Sequence, residues 1–317
     1  MIKKILTIIL EKISKFINEF FFNKNYLIIY RNGSALGDNL MITSLLKQIS
    51  SKKIKILIFT NNSELFLNNP RIYKIFQIKK NNLIWFILKG IKGKAIYEFN
   101  SIHIGKMKDK HFMFYHKKNI HIIESMSEHF LINLDYNNIK NEFFFSQNEI
   151  DNFEKELKLP DKFSVIHSQS KQSFTKNKEW SLEGVQNIIN NFKNINWIQL
   201  GTSEDSRLQN CQILFDLNIR KVAYIVSKCK FLVCYEGFFN HLASCFDKKT
   251  FLIHTGFLPQ ESFKYKNNII IENNENINCY PCYDLICKNH EKQVLRNITS
   301  ELVLNKIKKN LETINEY

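Results

Sequence analysis

Two loops in this 317-residue chain set a carboxylate where an apolar run gives way to a helical stretch. In Arg31-Asn32-Gly33-Ser34-Ala35-Leu36-Gly37-Asp38, two glycines permit a sharp turn and Asp38 arrives at the helix mouth. A carboxylate there can take a proton from a substrate hydroxyl as a general base, or simply cap the helix. In Tyr235-Glu236-Gly237-Phe238-Phe239-Asn240-His241-Leu242-Ala243 the same sequence logic returns. A helix N-terminus offers N–H groups to a pyrophosphate, and Glu236 could accept hydrogen bonds from ribose hydroxyls. The structural alternative is an acid at a helix start and a core histidine. A third cluster, Cys279-Tyr280-Pro281-Cys282 with Cys287 and His290, could form one edge and then the remainder of a tetrahedral metal site, or a set of reduced thiols. There is no G-x-G-x-x-G and no Gly-Lys-Ser/Thr, which excludes the dinucleotide fingerprint and the P-loop.

The elements that must position these residues alternate. Strands are expected at 26–30, 54–60, 94–99 and 112–115, then at 163–167, 196–200, 231–235, 250–254 and 269–271. Helical stretches are expected from Met41, whose apolar stripe continues through Leu45 and Ile49, and at 121–134, 150–157, 181–192, 219–228, 240–246 and 298–314. Ser181 is the expected N-cap of its helix. Strands alternating with helices imply parallel sheets with ligand loops at the strand C-terminal ends. Pro160, after a charged helix, suggests a boundary, giving an N-terminal helix at 1–22, a first α/β domain at 23–158 and a second at 159–317.

Composition narrows the partners. Hydrophobic residues make up 44% of the chain, enough for sizeable cores, and the formal net charge is +15. That charge favours an anionic partner, although Lys, Asn and Ile are all over-used, as a biased genome would produce. No RRM, KH or zinc-finger pattern is visible, so a membrane surface or a sugar phosphate ranks above nucleic acid. Seven cysteines at irregular spacing do not form a disulfide framework; Cys211, Cys229, Cys234 and Cys245 read as reduced core residues, which fits a reducing cytoplasm. Residues 2–22 are apolar but interrupted by charges, too broken for a membrane span or a signal-peptide core. On a helix, Ile2, Leu6, Ile9, Ile13, Phe16, Ile17 and Phe20 share one side and lysines the other. Such a helix either lies on an anionic bilayer or packs on the first domain.

The motifs together resemble glycosyltransferase family 9, the bacterial heptosyltransferase family. Arg31…Leu36-Gly37-Asp38 is similar to its first loop. Glu236-Gly237-Phe238-Phe239-Asn240-His241-Leu242-Ala243 is similar to its nucleotide-sugar signature, with Phe238 standing where the family has glycine. Ser168–Trp180 is similar to its phosphate loop, Lys178 and Trp180 taking the Lys-x-Trp positions. Leu200-Gly201-Thr202 is similar to a glycine loop, and the cysteine segment also has a family parallel. The resemblance implies two Rossmann-like domains facing a central cleft, the GT-B fold. It implies an inverting, metal-independent transfer of a sugar, heptose from ADP-heptose being favoured, onto a lipopolysaccharide or other lipid-linked or glycan acceptor at the inner face of the cytoplasmic membrane. Asp38 would be the base. Lys178 would neutralise the leaving diphosphate, and Gly201, Thr202, Glu236, Gly237 and His241 would complete the nucleotide-sugar site. No cofactor is expected for the chemistry; Cys279, Cys282, Cys287 and His290 could hold a structural metal. A UDP- or GDP-hexose donor, or a degenerate non-catalytic binding role, are the alternatives.

Overall fold

The computed structural model describes residues 5, 8–9, 12–13, 26–31, 35–49, 55–78, 96–98, 120–129, 135, 139–169, 175–273, 277, 280–282 and 297–312. They divide into two compact units. The first holds the residues up to 98 and 123–139; the second holds 120–122 and everything from Lys140 onward. This division falls earlier than the sequence-derived 158/159, for a reason visible in the bonding of residues 141–149. The expected strand at 112–115 and most of the expected helix at 1–22 lie outside the described residues.

In the first unit, β1 (Tyr26–Arg31), β2 (Lys55–Thr60), β3 (Ile72–Gln77) and β4 (Ile96–Glu98) form one parallel sheet in the order β3-β2-β1-β4. The described side chains of β1, Leu27 to Arg31, are all buried. That is how a central parallel strand covered on both faces should look, and its near-continuous apolar run reflects it. Helix α1 (Leu36–Ile49) buries more than the one stripe read from its periodicity: residues 39–46 are buried all round. Its polar members bond inward, Thr43 Oγ1 donating to Leu40 O at 2.7 Å and Asn39 Nδ2 to Ala35 O at 2.7 Å. Helix α2 (Ile122–His129) begins at the border between the units.

The second unit is a six-stranded parallel sheet. Its strands are β5 (Ser164–Ile166), β6 (Trp197–Gly201), β7 (Gln212–Phe215), β8 (Phe231–Cys234), β9 (Lys249–Ile253) and β10 (Asn268–Ile271), ordered β10-β9-β8-β5-β6-β7. Counted within the unit this is 6-5-4-1-2-3, the doubly wound order, and the strand sequence reverses between β5 and β8. Ligands of such sheets bind beyond the strand C-termini at that reversal. Helices α3 (Gln147–Glu156), α4 (Leu182–Asn191), α5 (Ile219–Lys228), α6 (Phe238–Cys245) and α7 (Ser300–Glu312) belong to this unit.

Caps fix several of these helices. Ser181 caps α4 by accepting from Gly184 N, as its sequence position predicts, and Asn218 caps α5 by accepting from Lys221 N. Ser146 and Glu149 form a capping box on α3. Glu149 does more: Arg220 of α5, nearly fully buried, donates to both its oxygens at 2.6 and 2.8 Å and to Phe144 O at 2.6 Å. The guanidinium also lies over the rings of Phe143 (4.7 Å) and Phe145 (5.3 Å). Segment 141–156 is therefore bound to helix α5 of the second unit, which is why the division comes before it.

Trp180 anchors the other end of the chain. Its indole Nε1 donates to Ile298 O at 2.7 Å, just before α7, and its ring lies so close to Gly184 that an added Cβ would meet it at 2.4 Å. Trp180, Val185, Ile188, Ile189, Val303 and Ile307 share one buried cluster with the strands.

Candidate functional site

In the first unit, β1 ends in Arg31 and α1 opens two residues before Asp38. Asp38 lies inside the first turn and Ala35 precedes the helix, so the carboxylate is not at the capping position itself. Arg31 Nη2 donates to Asp38 Oδ2 at 3.2 Å; the arginine side chain is 1% exposed and the aspartate 19%. Burial lowers the pKa of Arg31 and the Asp38 charge opposes that shift. The aspartate is thus a half-buried anion held beside a fully buried cation. It reaches the surface of a helix whose neighbours Gly37, Asn39 and Leu40 do not.

In the second unit three loops meet beyond the sheet's C-terminal edge. The loop after β8 carries Tyr235, Glu236 and Gly237; the turn at Lys176–Lys178 follows β5; the loop after β9 runs from His254 to Pro259. Lys178 Nζ lies 2.7 Å from Glu236 Oε1 and 4.8 Å from the centre of the Phe257 ring. Thr255 Oγ1 donates to Asn177 O at 2.7 Å, tying the third loop to the second. His254, buried, is bonded through Nδ1 to Glu272 Oε2 and through Nε2 to Leu258 O, each at 2.7 Å, which fixes the loop that carries Phe257.

Glu236 is 4% exposed, yet its Oε2 has no hydrogen-bond partner among the described residues, and neither has the buried Tyr235 hydroxyl. A buried carboxylate oxygen left unmatched is costly, and such exceptions mark places where a partner from outside is accommodated. Gly237 adopts φ +144° and ψ −156°, a region that essentially only glycine occupies, and nothing stands within 4 Å of where a Cβ would be. Glycine is there for backbone conformation and not for close packing. The chain then turns at once into α6, with Phe238 and Phe239 half-buried at its start. Phe239 packs on His167 at the end of β5, ring centres 4.2 Å apart, and burial holds the His167 pKa down at about 4, so it is neutral near pH 7. Phe238 stands at the position where the resembled family has glycine.

His241 sits one turn into α6, its amide donating to Gly237 O at 3.2 Å. Its Nδ1 meets the Tyr265 hydroxyl at 2.7 Å. Asn141 Nδ2 lies within hydrogen-bonding distance of Tyr265 Oη (2.9 Å), Ser244 Oγ (2.9 Å) and His241 O (3.1 Å). Neither Asn141 nor Tyr265 is a candidate from sequence: one stands in an Asn/Lys-rich stretch, the other follows no motif. Thr255 and Phe257 escaped in the same way.

Gly201 ends β6 and Thr202 opens the loop after it. A Cβ on Gly201 would come within 2.2 Å of Asp205 Oδ2. Asp205 Oδ2 accepts from Thr202 N at 2.8 Å, and Asp216 Oδ1 accepts from Ser203 N at 3.1 Å. The amides of this loop are thus directed at the chain's own carboxylates. Burial, with Glu204 and Asp216 nearby, raises the pKa of Asp205 against the pull of the Thr202 amide. Buried Gln199 links the loop to β5, donating to Ser168 Oγ at 3.0 Å and to Ser206 O at 2.8 Å while accepting from Leu208 N at 2.9 Å.

Of the proposed metal ligands, Cys279, Cys287 and His290 lie outside the described residues. Cys282 is described: its amide donates to Gly256 O at 2.8 Å, which brings the cysteine segment against the loop after β9.

No family model matches the chain, and no curated protein matches it. Solved structures do. A glycosyl transferase of family 9 from Veillonella parvula DSM 2008 superposes with a TM-score of 0.68 at 12% identity, over 92% of this chain and 98% of that one. The iron-containing dodecameric glycosyltransferase TibC from enterotoxigenic E. coli H10407 gives 0.66 at 14% identity, over 92% and 77%. The E. coli ADP-heptose lipopolysaccharide heptosyltransferase II gives 0.62 at 12% identity, over 91% and 99%. The fold is accordingly the α/β architecture of parallel sheets seen in two-domain GT-B proteins.

Proposed function

We propose that this protein is an inverting, metal-independent glycosyltransferase that moves heptose from ADP-heptose onto a lipopolysaccharide or other surface-glycan acceptor. The observation that carries the reading is the Lys178–Glu236 pair at the reversal of the second sheet, with Glu236 Oε2 buried and unmatched. Hydroxyl donors of a nucleotide-sugar are what that oxygen lacks. The start of α6 supplies N–H groups for the diphosphate. Lys178 supplies the positive charge that a departing nucleotide diphosphate needs. Asp38 accepts the acceptor's proton, and Arg31 keeps its carboxylate oriented.

Likeness of fold supports the donor class. One of the structures that resemble this chain is TibC in complex with ADP-D-β-D-heptose. The cysteine segment, with Cys279, Cys282, Cys287 and His290, is read as a structural metal site or a set of reduced thiols, and the transfer chemistry requires neither. A peripheral position at the inner face of the cytoplasmic membrane is supported by Ile5, Ile8, Ile9 and Ile13, all exposed, among the lysines of residues 1–22.

The test is calorimetry and thermal unfolding with ADP-heptose beside UDP- and GDP-hexoses. A ligand at ~100 times its Kd adds about 2.7 kcal/mol to stability. Selective stabilisation by ADP-heptose followed by transfer upholds the reading. Stabilisation by a UDP- or GDP-hexose replaces the donor; binding without transfer makes the protein a non-catalytic member.

A further inference from the structure

Resting on that reading, we infer that His254 and Glu272 are positioning residues: a proton held between them locks the loop after β9 against the lysine turn of the nucleotide-sugar site, so that donor affinity depends on that proton.

Each ring nitrogen of His254 faces one acceptor. A backbone carbonyl only accepts, so Nε2, 2.7 Å from Leu258 O, carries a hydrogen. Nδ1 lies 2.7 Å from Glu272 Oε2, an oxygen that accepts unless the carboxyl is protonated. Turning the ring over would set carbons against both oxygens, so its orientation is fixed. A neutral imidazole beside a bare carboxylate would leave two lone pairs facing each other at that distance. The arrangement therefore needs one more proton, between Nδ1 and Oε2. Gln260 Nε2 donates to Glu272 Oε1 at 3.2 Å and Tyr280 Oη to Oε2 at 3.4 Å. Those donors suit a carboxylate, which puts the extra proton on Nδ1 and makes the pair an imidazolium with its counter-ion.

The pair sits where it controls the loop. His254 follows β9 directly and Glu272 follows β10, so the bond ties the C-terminal ends of two neighbouring strands. The His254 side chain is 0% exposed and that of Glu272 20%. The Nε2 bond folds Leu258 back over His254, enclosing Thr255, Gly256 and Phe257, with Gly256 at φ +79°. Thr255 Oγ1 holds Asn177 O at 2.7 Å, and the Phe257 ring lies 4.8 Å from Lys178 Nζ. Phe263 packs on the other side of the imidazole, ring centres 5.2 Å apart, and Tyr280 meets it edge-on at 5.8 Å. Among the described residues, the other ionisable groups on these elements are Tyr280 itself, Cys282, whose amide donates to Gly256 O, and Lys178 beside Phe257.

Loss of the proton turns the Nδ1–Oε2 contact from attraction to repulsion, in a site too buried for water to screen it. The ring cannot turn away without giving up Leu258 O. The two residues that steady the Lys178 turn then lose their anchor. Donor affinity is accordingly full while the proton is held and falls as pH rises and removes it.

The experiment uses the full-length protein and two readouts. The first needs no ligand. With 15N-labelled histidines, a long-range 1H–15N spectrum at about pH 6 should show His254, identified by His254→Gln, with both nitrogens protonated, and Glu272→Gln should leave only Nε2–H. The glutamine amide donates to Nδ1 of a neutral imidazole while its oxygen accepts from Gln260, so the loop stays closed without the extra proton. The second readout is calorimetric ADP-heptose affinity from about pH 6 to about pH 10, variant and wild type compared at each pH so that ionisation of the ligand cancels. Wild-type affinity should fall about fivefold to tenfold across this range relative to Glu272→Gln, and the two should match at its acid end. A role in stability alone would lower the unfolding temperature and leave the two affinity profiles parallel. Parallel profiles would overturn the inference, as would a singly protonated His254 in the wild type at the acid end. If a UDP-hexose binds in place of ADP-heptose, the same profiles are measured with it, and only the donor assignment falls. If no nucleotide-sugar binds, the functional reading and the positioning role fall together, whatever the histidine spectrum shows.

Discussion

Lys178 Nζ lies 2.7 Å from Glu236 Oε1, and both side chains are mostly buried, at 17% and 2% exposure. Each is the other's counter-charge where water is scarce. Removing one leaves the second uncompensated, which typically costs about 3–5 kcal/mol, whereas replacing both with neutral groups of like shape costs far less. Lys178→Met and Glu236→Gln should therefore each destabilise the second unit, and the double variant should recover most of the loss. Urea unfolding of all four proteins measures the cycle; strictly additive losses would show that the two charges are not coupled.

Donor affinity should follow Glu236 as well. Glu236→Ala removes a charged acceptor and should weaken ADP-heptose binding by about 1.5–3 kcal/mol, the range for hydrogen bonds to a charged group. Calorimetry checks it, and unchanged affinity would leave Glu236 as a structural partner of Lys178.

Gly237 turns the chain into α6 at a φ of +144°, with open space where a side chain would stand. Gly237→Ala should cost about 1–3 kcal/mol through backbone strain alone, since no neighbour is in the way. A variant as stable as wild type would show that the loop relaxes to a conformation open to other residues.

Stability in acid should depend on Glu149. Burial alone would raise its pKa, but the hydrogen bonds from Arg220 and from Ser146 bring it down to about 2. The folded value is below that of an unfolded glutamate, about 4.3. The contribution to stability is therefore complete above that pH and is lost as pH falls toward 2. Glu149→Gln should flatten this part of the profile in thermal unfolding, and Arg220→Ala should destabilise at neutral pH by about 3–5 kcal/mol. A profile between pH 5 and 2 that is the same in Glu149→Gln and wild type would contradict the assignment.

The N-terminal segment should contribute to membrane association. Deleting residues 1–22 removes the exposed isoleucines and their lysines and should reduce co-sedimentation with anionic vesicles. Unchanged sedimentation would mean that the segment serves packing alone.

Much of this architecture is legible in the sequence because buried parallel strands are written as apolar runs. Strands β1, β2, β8 and β9 stand out for that reason, and α5 spans the predicted 219–228 because its amphipathic pattern and its Asn218 cap agree. Strands β3 and β7 are not evident. Both are sheet edges; the four residues of β7 are only partly buried, and in β3 three residues are partly buried and three exposed, so their composition is mixed. Helix α6 starts two residues earlier than its sequence suggests, because Gly237 lets the chain turn immediately. Within the site, the charged residues are legible from type and context. The residues that hold them, Tyr265, Asn141, Thr255 and Phe257, come from distant parts of the chain and have no local pattern. Only the fold brings them together.

Catalysis by this account rests on the Asp38 carboxylate, and Asp38→Asn isolates it. Asparagine keeps the size and an oxygen that can accept from Arg31, and loses the capacity to take a proton. Single-turnover sugar transfer, measured beside donor binding on the folded variant, is the direct test. The predicted result is transfer slower by about 10²–10⁴-fold with donor affinity little changed, since the nucleotide-sugar is assigned to the second unit. Transfer by Asp38→Asn at near the wild-type rate would contradict the account and leave Asp38 as the counter-ion of Arg31.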